Sequence, residues 1–285
     1  MDIQFHCHED SVFKSESQSV RAFSYTDYAI EPHNHDFYEM NIVLGGRGSH
    51  QIESATFSVK RGDVFVIPPQ KVHAYYNTEN LEVYHVLLRK SFVRSNEEES
   101  TKMLGYLQLM EIEPFLRQSC SDAMFLHLTH AQTVELERDL RLIGDQGLFD
   151  DPRLSPLRRH TVWRIIYYLS YLLHEQIMRE EHSDGSKYRR QILDTLEYLH
   201  RHFGEKLTVS DLSRRVYLSR STFLRSFEAA CGCSPIQYLR QFRVARAMEL
   251  LQSSELSKTE VAHACGFFDL SHMERSIREM TEPKA

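Results

Sequence analysis

Three histidines and one glutamate are spaced so that they could share one ligand. His33, His35 and Glu39 lie close together, and His73 follows on a later segment. On an extended strand, residues at i, i+2 and i+6 project from the same face, so the first three side chains can point into one cavity. Imidazole nitrogens and a carboxylate are ligands that iron, manganese, nickel and zinc take in proteins. One interpretation is therefore a divalent-metal site formed by His33, His35, Glu39 and His73.

The same side chains could instead line a metal-free pocket for a polar molecule. Imidazoles donate and accept hydrogen bonds, and nearby aromatic or cationic residues could stack on such a ligand or bind it. The predicted effector pocket comprises His33, His35, Glu39, His73, Tyr38, Arg47, Tyr75 and Tyr76. Under this interpretation no cofactor is expected, and the divalent metal is the alternative. Ordinary core or surface packing accounts equally well for each of the three tyrosines and for Arg47.

A second set of polar residues falls on two short helices predicted near the C-terminus, which begin at Ser219 and Asp269. Their exposed faces could contact DNA, because an arginine side chain can donate two hydrogen bonds to guanine. Such a pair contributes about 1–3 kcal/mol of discrimination against the other bases. The alternative for each residue is a phosphate contact or a solvated helix-surface charge. The candidate DNA-binding residues are Arg220, Ser221, Leu224, Arg225, Asp269, Ser271, His272, Glu274 and Arg275.

The elements around these residues form a near-repeat. A short helix over 207–213 precedes the helix that begins at Ser219, and Gly232 ends that helix. Pro235 can start a longer helix to about Leu251, and a capping box at 257–260 opens the second cycle. A short helix, a turn and a second helix make a helix-turn-helix, whose second helix enters the major groove. Two units joined by one helix would read two successive grooves.

The N-terminal third predicts short strands. The segments rich in β-branched and aromatic residues are punctuated by glycines and prolines, which is typical of a sandwich or small barrel; they are Met40–Leu44, Phe57–Lys60, Val64–Ile67, His73–Tyr76 and Leu81–Leu88. Helical spacing begins after 96–99, and its strongest apolar stripe runs from Val162 to Ile177. The stripe predicts either a helix packed on the barrel or a dimer seam. The polar segment 180–187 is predicted to be a linker.

Charge is divided unevenly along the chain of 285 residues. The net charge is −6, yet residues 187–285 contain 16 Lys and Arg against 12 Asp and Glu. The remainder contains 18 basic and 28 acidic residues. A basic C-terminal part is expected where only one end of a protein approaches phosphates. We expect no membrane segment and no secretory signal, and hence a cytoplasmic protein.

The C-terminal residues resemble the AraC/XylS family of bacterial regulators. The residues that match this family's pattern are Ser219, Phe223, Leu224, Arg225, Phe227, Gly232, Ser234, Pro235, Tyr238, Leu239, Arg243, Ala247, Leu250, Leu251, Val261, Ala262, Gly266, Phe267, Asp269, Ser271, Arg275 and Arg278. The resemblance implies two helix-turn-helix units on adjacent major grooves. The family continues with a Gly-x-Ser/Thr-Pro turn and a final helix. Here the chain ends at 280–285 without them, so we expect the second unit to be less well packed.

The N-terminal motifs resemble those of the cupin barrel. His33-x-His35-x3-Glu39-x6-Gly46 matches the first motif. Gly62-x5-Pro68-x4-His73-x3-Asn77 matches the second. Two departures are the absence of a glycine six residues before His33, and Gln70 where the second motif prefers glycine. Segments 35–39, 42–43, 46–50 and 61–65 are most similar to rhamnose-responsive members of the regulator family, which implies a mono- or oligosaccharide effector.

The predicted fold class is α+β multidomain. Residues 1–95 are expected to form a cupin-like effector-binding β-barrel, 96–182 a helical linker and dimerisation region, and 188–285 an all-α double helix-turn-helix domain without its last helix. We expect a non-enzymatic, ligand-responsive transcription regulator, an activator on the family resemblance. Its expected partners are double-stranded DNA, a sugar, RNA polymerase and a second copy of the chain, and no membrane. The alternatives are a cupin metalloenzyme with a helical appendage, or a constitutive DNA-binding factor whose barrel only dimerises.

Overall fold

The computed structural model describes residues 3–15, 18–117, 126–144, 152–180 and 188–281. The chain divides into two compact units, Met1–Glu180 and Glu181–Ala285. Within the described ranges no helix combines the length and the apolar character needed to cross a membrane. The predicted linker, 180–187, lies almost wholly outside the described residues.

The first unit contains the sheet. The strands that the described part of the unit contains are β1 (Phe5–Cys7), β2 (Val20–Tyr25), β3 (Ile30–His35), β4 (Tyr38–Ile52), β5 (Ala55–Lys60), β6 (Asp63–Ile67), β7 (His73–Leu88) and β8 (Leu126–His127). The five predicted strand segments all lie in strands. Two of them, 73–76 and 81–88, belong to the single long strand β7.

The long strands β4 and β7 organise this sheet. They pair antiparallel, β7 also pairs with β2 and β3, and β4 also pairs with β5 and β6. The order is β1-β3-β7-β4-β6-β8, with β1 parallel to β3 at the edge. Because β7 contacts three strands, it brings together residues from distant parts of the sequence.

A bulge in β4 changes which side chains face inward. The register of β4 against β7 shifts three times between Val43 and Ser49. Gly46 has a φ of +70°, and a Cβ built there would lie 2.1 Å from the carbonyl oxygen of Asn80, so only glycine fits. Glu39 and His50 both approach His73, although one is odd-numbered and the other even-numbered. A strict alternation of faces along β4 would have placed them on opposite sides.

Helices pack against the sheet in the same unit. They are α1 (Glu9–Val12), α2 (Lys90–Arg94), α3 (Glu97–Ser100), a π-helical turn (Gln108–Ile112) that runs into α4 (Glu113–Arg117), α5 (His130–Gly144), a 3₁₀ turn (Pro152–Leu154) and α6 (Ser155–Glu180). The apolar stripe lies on α6. Its members Val162, Ile165, Leu169 and Leu173 are each at most 1% exposed. The stripe therefore packs inside its own unit, and the dimer seam predicted for it is wrong for these residues.

The second unit is all-helical. Its described elements are α7 (Arg189–Arg201), α8 (Val209–Arg215), α9 (Arg220–Cys231), α10 (Pro235–Ser253), α11 (Lys258–Ala264) and α12 (Leu270–Thr281). Side-chain caps set several of these boundaries. The Ser219 hydroxyl accepts the backbone N–H of Thr222, and Ser257 forms a full capping box with Glu260. Gly232 ends α9 in the left-handed conformation, at a φ of +70°.

Two small cores hold the helix pairs of the second unit together. Phe223 and Phe227 of α9 are fully buried, and Phe227 packs edge-on against Tyr238 of α10. Val261, Phe267 and Met273 share the other core with residues of α10. Arg243 of α10 donates to the carbonyl oxygens of Phe203 and Glu205, which lie in the turn before α8. The predicted pattern of short helix, turn and second helix is confirmed twice.

Candidate functional site

Four predicted ligands meet inside the first unit. His33, His35, Glu39 and His73 are at most 4% exposed. The carboxylate Oε2 of Glu39 lies 3.1 Å from Nε2 of His35 and 3.5 Å from Nε2 of His73. His33 and His73 face each other, with ring centroids 4.1 Å apart. The four residues come from β3, β4 and β7, and not from one extended strand, because Asp36 and Phe37 separate His35 from β4.

The three imidazoles are oriented by the backbone. The Nδ1–H of His33 donates to the carbonyl of Glu31 at 2.9 Å, and that of His35 to the carbonyl of Phe37 at 2.8 Å. The Nδ1–H of His73 donates to the carbonyl of Lys71 at 3.2 Å. A ring that carries its only proton on Nδ1 has a lone pair on Nε2. Metal-binding histidines are oriented in the same way by a hydrogen bond from their other nitrogen.

Burial determines the charge states in this cluster. Burial and the neighbouring charge of His73 lower the pKa of His33 to about 4, and burial also lowers the pKa of His35. For Glu39, burial opposes ionisation, but the neighbouring imidazoles of His35, His73 and His85 outweigh it and hold its pKa well below the ordinary value. His33 and His35 are therefore neutral beside a buried carboxylate at neutral pH, and these acceptors attract a donor or a cation.

Two further histidines belong to the cluster and escaped the sequence analysis. Nδ1 of His85 on β7 lies 2.7 Å from Oε1 of Glu39, and its ring stacks on Phe23. His50 on β4 is fully buried, and its ring stacks on Tyr75 with centroids 4.3 Å apart. Neither residue lies within a recognisable motif. Within the described residues no hydrogen bond reaches either ring nitrogen of His50, nor Nε2 of His35, His73 and His85.

The predicted pocket tyrosines and arginine are dispersed. Tyr75 is buried beside the cluster and accepts a hydrogen bond from Asn41. Tyr76 is directed to the surface, where its hydroxyl lies 3.1 Å from that of Thr56. Tyr38 is half-buried at the start of β4.

Arg47 does not join the buried cluster. Its guanidinium is exposed and forms an ion pair with Glu79 at 2.6 Å, beside a surface cavity of about 300 Å³. The bulge at Gly46 explains this position, because it changes the face of β4 on which the following side chains lie.

The first candidate recognition helix is α9, which follows the α8 turn. Arg220, Ser221 and Arg225 are exposed on it, and Leu224 is half-buried. In the part of the chain that the structure describes, neither Arg220 nor Arg225 takes part in an ion pair. This helix therefore presents two arginine side chains that remain available to a nucleic-acid partner.

The second candidate recognition helix is α12. Ser271, His272, Glu274 and Arg275 are exposed. The Asp269 carboxylate accepts the backbone N–H of His272 at 2.7 Å, so it caps this helix. The His272 ring in turn accepts the backbone N–H of Phe268, and Glu274 lies 3.9 Å from the ammonium group of Lys258. Of the five candidate residues here, Ser271 and Arg275 are not used in these local contacts.

Two exposed aromatic residues at the turns were also missed. Tyr217 is 94% exposed two residues before the cap of α9, and Phe268 is 84% exposed directly before Asp269. Tyr217 has a φ of +55°, a conformation that a bulky residue rarely adopts. Both exposed aromatics lie in the turn that precedes a candidate recognition helix, and a search for apolar periodicity cannot detect them.

Two sequence profiles match the chain, one over each of these sites. The profile of the AraC-like ligand binding domain matches residues 17–144, and the profile of a helix-turn-helix domain matches residues 212–283. The chain belongs to the AraC family. Its two matched regions make it a ligand-responsive transcription regulator, with a sheet-rich, cupin-like domain for the ligand and a helical domain for DNA.

Curated relatives extend over most of this AraC-family regulator. The HTH-type transcriptional activator RhaS of Escherichia fergusonii is 25% identical over 264 residues, which cover 88% of this chain and 84% of the relative. The protein of the same name from Salmonella arizonae is 27% identical over 251 residues, with the same coverage. A solved structure, the DNA-binding domain of AdpA in complex with a target DNA, is 32% identical, covers 33% of this chain and 85% of its own, and has a TM-score of 0.32. That score is too low to bear on the fold.

Proposed function

We propose that this regulator activates transcription when a sugar occupies the buried cluster of His33, His35, Glu39 and His73. The observation that supports this most is a shortage of hydrogen-bond donors: three imidazole lone pairs and one carboxylate converge. An unsatisfied buried acceptor costs about 1–3 kcal/mol. Sugar hydroxyls are donors and would supply the missing hydrogen bonds.

The sign of regulation follows the relatives, which are named transcriptional activators. Activation implies contact with RNA polymerase as well as with DNA, and we place the protein in the cytoplasm. We propose that it has no catalytic activity. We also propose a homodimer, and because the stripe of α6 is buried, we expect its contact to involve exposed residues such as Leu157 and Tyr171 of that helix.

A divalent metal ion is the second candidate occupant of the cluster. Two ligands bound at about 2.1 Å in tetrahedral geometry are roughly 3.4 Å apart. The distances of 3.1 and 3.5 Å from Glu39 to His35 and His73 are close to that value. With Nδ1 protons donated to backbone carbonyls, a hydrogen bond from either ring to Glu39 needs a second proton, which a metal ion would replace. His33, Glu39 and His73 also place their ligand atoms within 4.8 Å of one another.

The first experiment is thermal unfolding of the full chain with a panel of monosaccharides, in chelator and then with added divalent metals. Trp163 is the only tryptophan of the sequence and is buried in the first unit, stacked on Phe92, so its fluorescence reports that unit. A ligand at about 100 times its Kd adds about 2.7 kcal/mol, or roughly 5–10 °C. A sugar-specific rise in chelator supports the metal-free sensor. A rise that needs metal supports the second candidate.

Two variants assign the effect to the cluster. Glu39→Gln removes the central charge and should abolish the sugar-induced rise. Arg47→Ala should retain it, because Arg47 lies at the surface with Glu79. If no sugar raises the melting temperature with or without metal, the sugar proposal fails. If Arg47→Ala abolishes the rise and Glu39→Gln does not, the effector binds at the surface cavity instead.

A further inference from the structure

A second group of metal-ligand side chains lies outside the buried cluster, where β1 meets the turn after β3. Nε2 of His6 and Nδ1 of His8 each lie 3.1 Å from Oδ2 of Asp36. The two rings contact each other edge to face, with centroids 4.3 Å apart. One ligand atom from each residue lies within 4.8 Å of the other two. As in the buried cluster, the separation of 3.1 Å is close to the distance between two ligand atoms of a tetrahedral metal ion.

The hydrogen bond of His6 to Asn34 directs its second ring nitrogen at Asp36. Nδ1 of His6 lies 2.6 Å from Oδ1 of Asn34, which can only accept, so Nδ1 carries the proton. The neutral ring then turns the lone pair of Nε2 toward a carboxylate oxygen. Two acceptors at that distance repel each other unless a proton or a metal cation lies between them. A proton on His6 or a metal ion therefore lies between His6 and Asp36, and the arrangement of the other ligand atoms favours the metal ion.

Two neighbouring side chains hold His6 and Asp36 in place by hydrogen bonds, as is usual for metal ligands. Asn34 fixes His6, and the side-chain amide of Gln70 donates to Oδ1 of Asp36 at 2.7 Å, which leaves Oδ2 for the two histidines. Such partners are characteristic of built metal sites, and their loss typically weakens binding 10- to 100-fold. Gln70 occupies the position at which the cupin motif prefers glycine, so this departure provides a partner for Asp36.

The surroundings leave room for further ligands. His8 is 72% exposed at its side chain and, with Asp36, lines an open cavity of about 790 Å³. The charged residues around this cavity are Glu9, Asp10, Lys90 and Arg94. Glu9 is engaged by Arg89 at 2.8 Å, and Lys90 opposes a cation electrostatically. A metal ion held by three protein ligands and open on one side can also bind water or a small molecule.

We propose that His6, His8 and Asp36 form a second site for a divalent transition-metal ion of the zinc and nickel class, separate from the buried cluster. Two imidazoles and one carboxylate suit these ions, whereas magnesium and calcium prefer all-oxygen sites. The proposal does not depend on the sugar effector.

A bound ion would also fix the edge strand of the sheet. β1 is three residues long and pairs only with β3, so that Phe5 stacks on His33 with ring centroids 4.8 Å apart. The ion would link His6 and His8 of this segment to Asp36 after β3. It would thereby hold Phe5 over the buried cluster.

The test is calorimetric titration of the metal-stripped full chain with Zn²⁺ and with Ni²⁺, with Mg²⁺ as the comparison. His8→Ala should remove one zinc equivalent, and it should fold because the side chain is exposed. Asn34→Ala should retain the stoichiometry and weaken that site 10- to 100-fold. His130→Ala, at an exposed histidine on α5, should leave both values unchanged.

The buried cluster is separated from this site by a further variant. His73→Gln alters the buried cluster alone, so the equivalent lost in His8→Ala should persist in it. Cobalt absorption provides an independent readout, because its bands should diminish in His8→Ala and remain in His130→Ala. An unchanged zinc stoichiometry in His8→Ala overturns the proposal. So does the absence of any binding, in which case a proton alone joins His6 to Asp36.

Discussion

Lowering the pH from 7 to 5 should destabilise the first unit through His33. Burial and the neighbouring charge of His73 lower the pKa of this imidazole from the ordinary 6.5 to about 4. Between these two values the unfolded chain binds a proton that the folded chain does not, so stability falls as the pH falls. The contribution is fully present above pH 6.5 and is lost progressively toward pH 4.

The magnitude follows from the two pKa values of His33. A tenfold change in proton affinity corresponds to about 1.4 kcal/mol, so the whole difference between the unfolded and folded chain is worth about 3 kcal/mol, of which about 2 kcal/mol is lost by pH 5. Burial lowers the pKa of His35 and of His50 as well, and both add to the total. The variant His33→Asn isolates the contribution of one ring.

The assay is urea unfolding of the full chain in chelator, followed by Trp163 fluorescence, at pH 5 and pH 7.5. The free energy of unfolding of His33→Asn should change with pH by about 2 kcal/mol less than that of the unmodified protein. His130→Asn is the matched control, since His130 is exposed on α5, and it should keep the full pH dependence. An equal pH dependence in His33→Asn and in the unmodified protein would refute a buried, neutral His33.

Three further predictions concern other parts of the chain. Glu113→Gln should lower the free energy of unfolding of the first unit by about 3–5 kcal/mol in the tryptophan assay, because the fully buried Arg117 loses its ion-pair partner at 2.8 Å. Gly266→Ala should lower the stability of the second unit by about 1–3 kcal/mol by circular dichroism, because its φ is +73° and a Cβ would meet two backbone oxygens at 2.8 Å. Arg225→Ala should weaken binding to a selected DNA duplex by about 1–3 kcal/mol in fluorescence anisotropy, whereas Arg201→Ala, away from the recognition helices, should not. Unchanged values in Glu113→Gln, Gly266→Ala or Arg225→Ala would contradict the corresponding argument.

Local signals made the second unit predictable. A hydroxyl at a helix start, a glycine at a helix end and a proline in a first turn act within four residues, and all three appear at the predicted places at Ser219, Gly232 and Pro235. Helix boundaries that depend on such neighbours can be read from sequence without knowledge of the tertiary structure.

In the first unit, the four central residues of the buried cluster could be predicted from the sequence, but the residues around them could not. His33, His35, Glu39 and His73 meet, although Glu39 lies on β4 and not on one extended strand with the two histidines, whereas the position of Arg47 depends on a bulge that changes the inward face of β4. Sequence spacing gives no signal of where a bulge changes the register.

The remaining residues of the two sites could not be predicted, because strand pairing between distant segments brings them together. His50 and His85 enter the cluster through strands that pair over long distances along the chain. His6 reaches Asp36 only because β1 pairs in parallel with β3, 28 residues away. A parallel pair between such distant segments leaves no periodic signal in either one.

The most direct test of the account is whether the ligand site and the DNA site are coupled. The affinity of the full chain for a DNA duplex selected from random sequence should be measured by fluorescence anisotropy, with and without the sugar that raises its melting temperature. Coupling of about 1–3 kcal/mol predicts a 5- to 150-fold change in affinity, absent in Glu39→Gln. Arg225→Ala should lose DNA affinity and keep the sugar-induced rise in melting temperature. Specific DNA binding that no sugar changes would contradict the account.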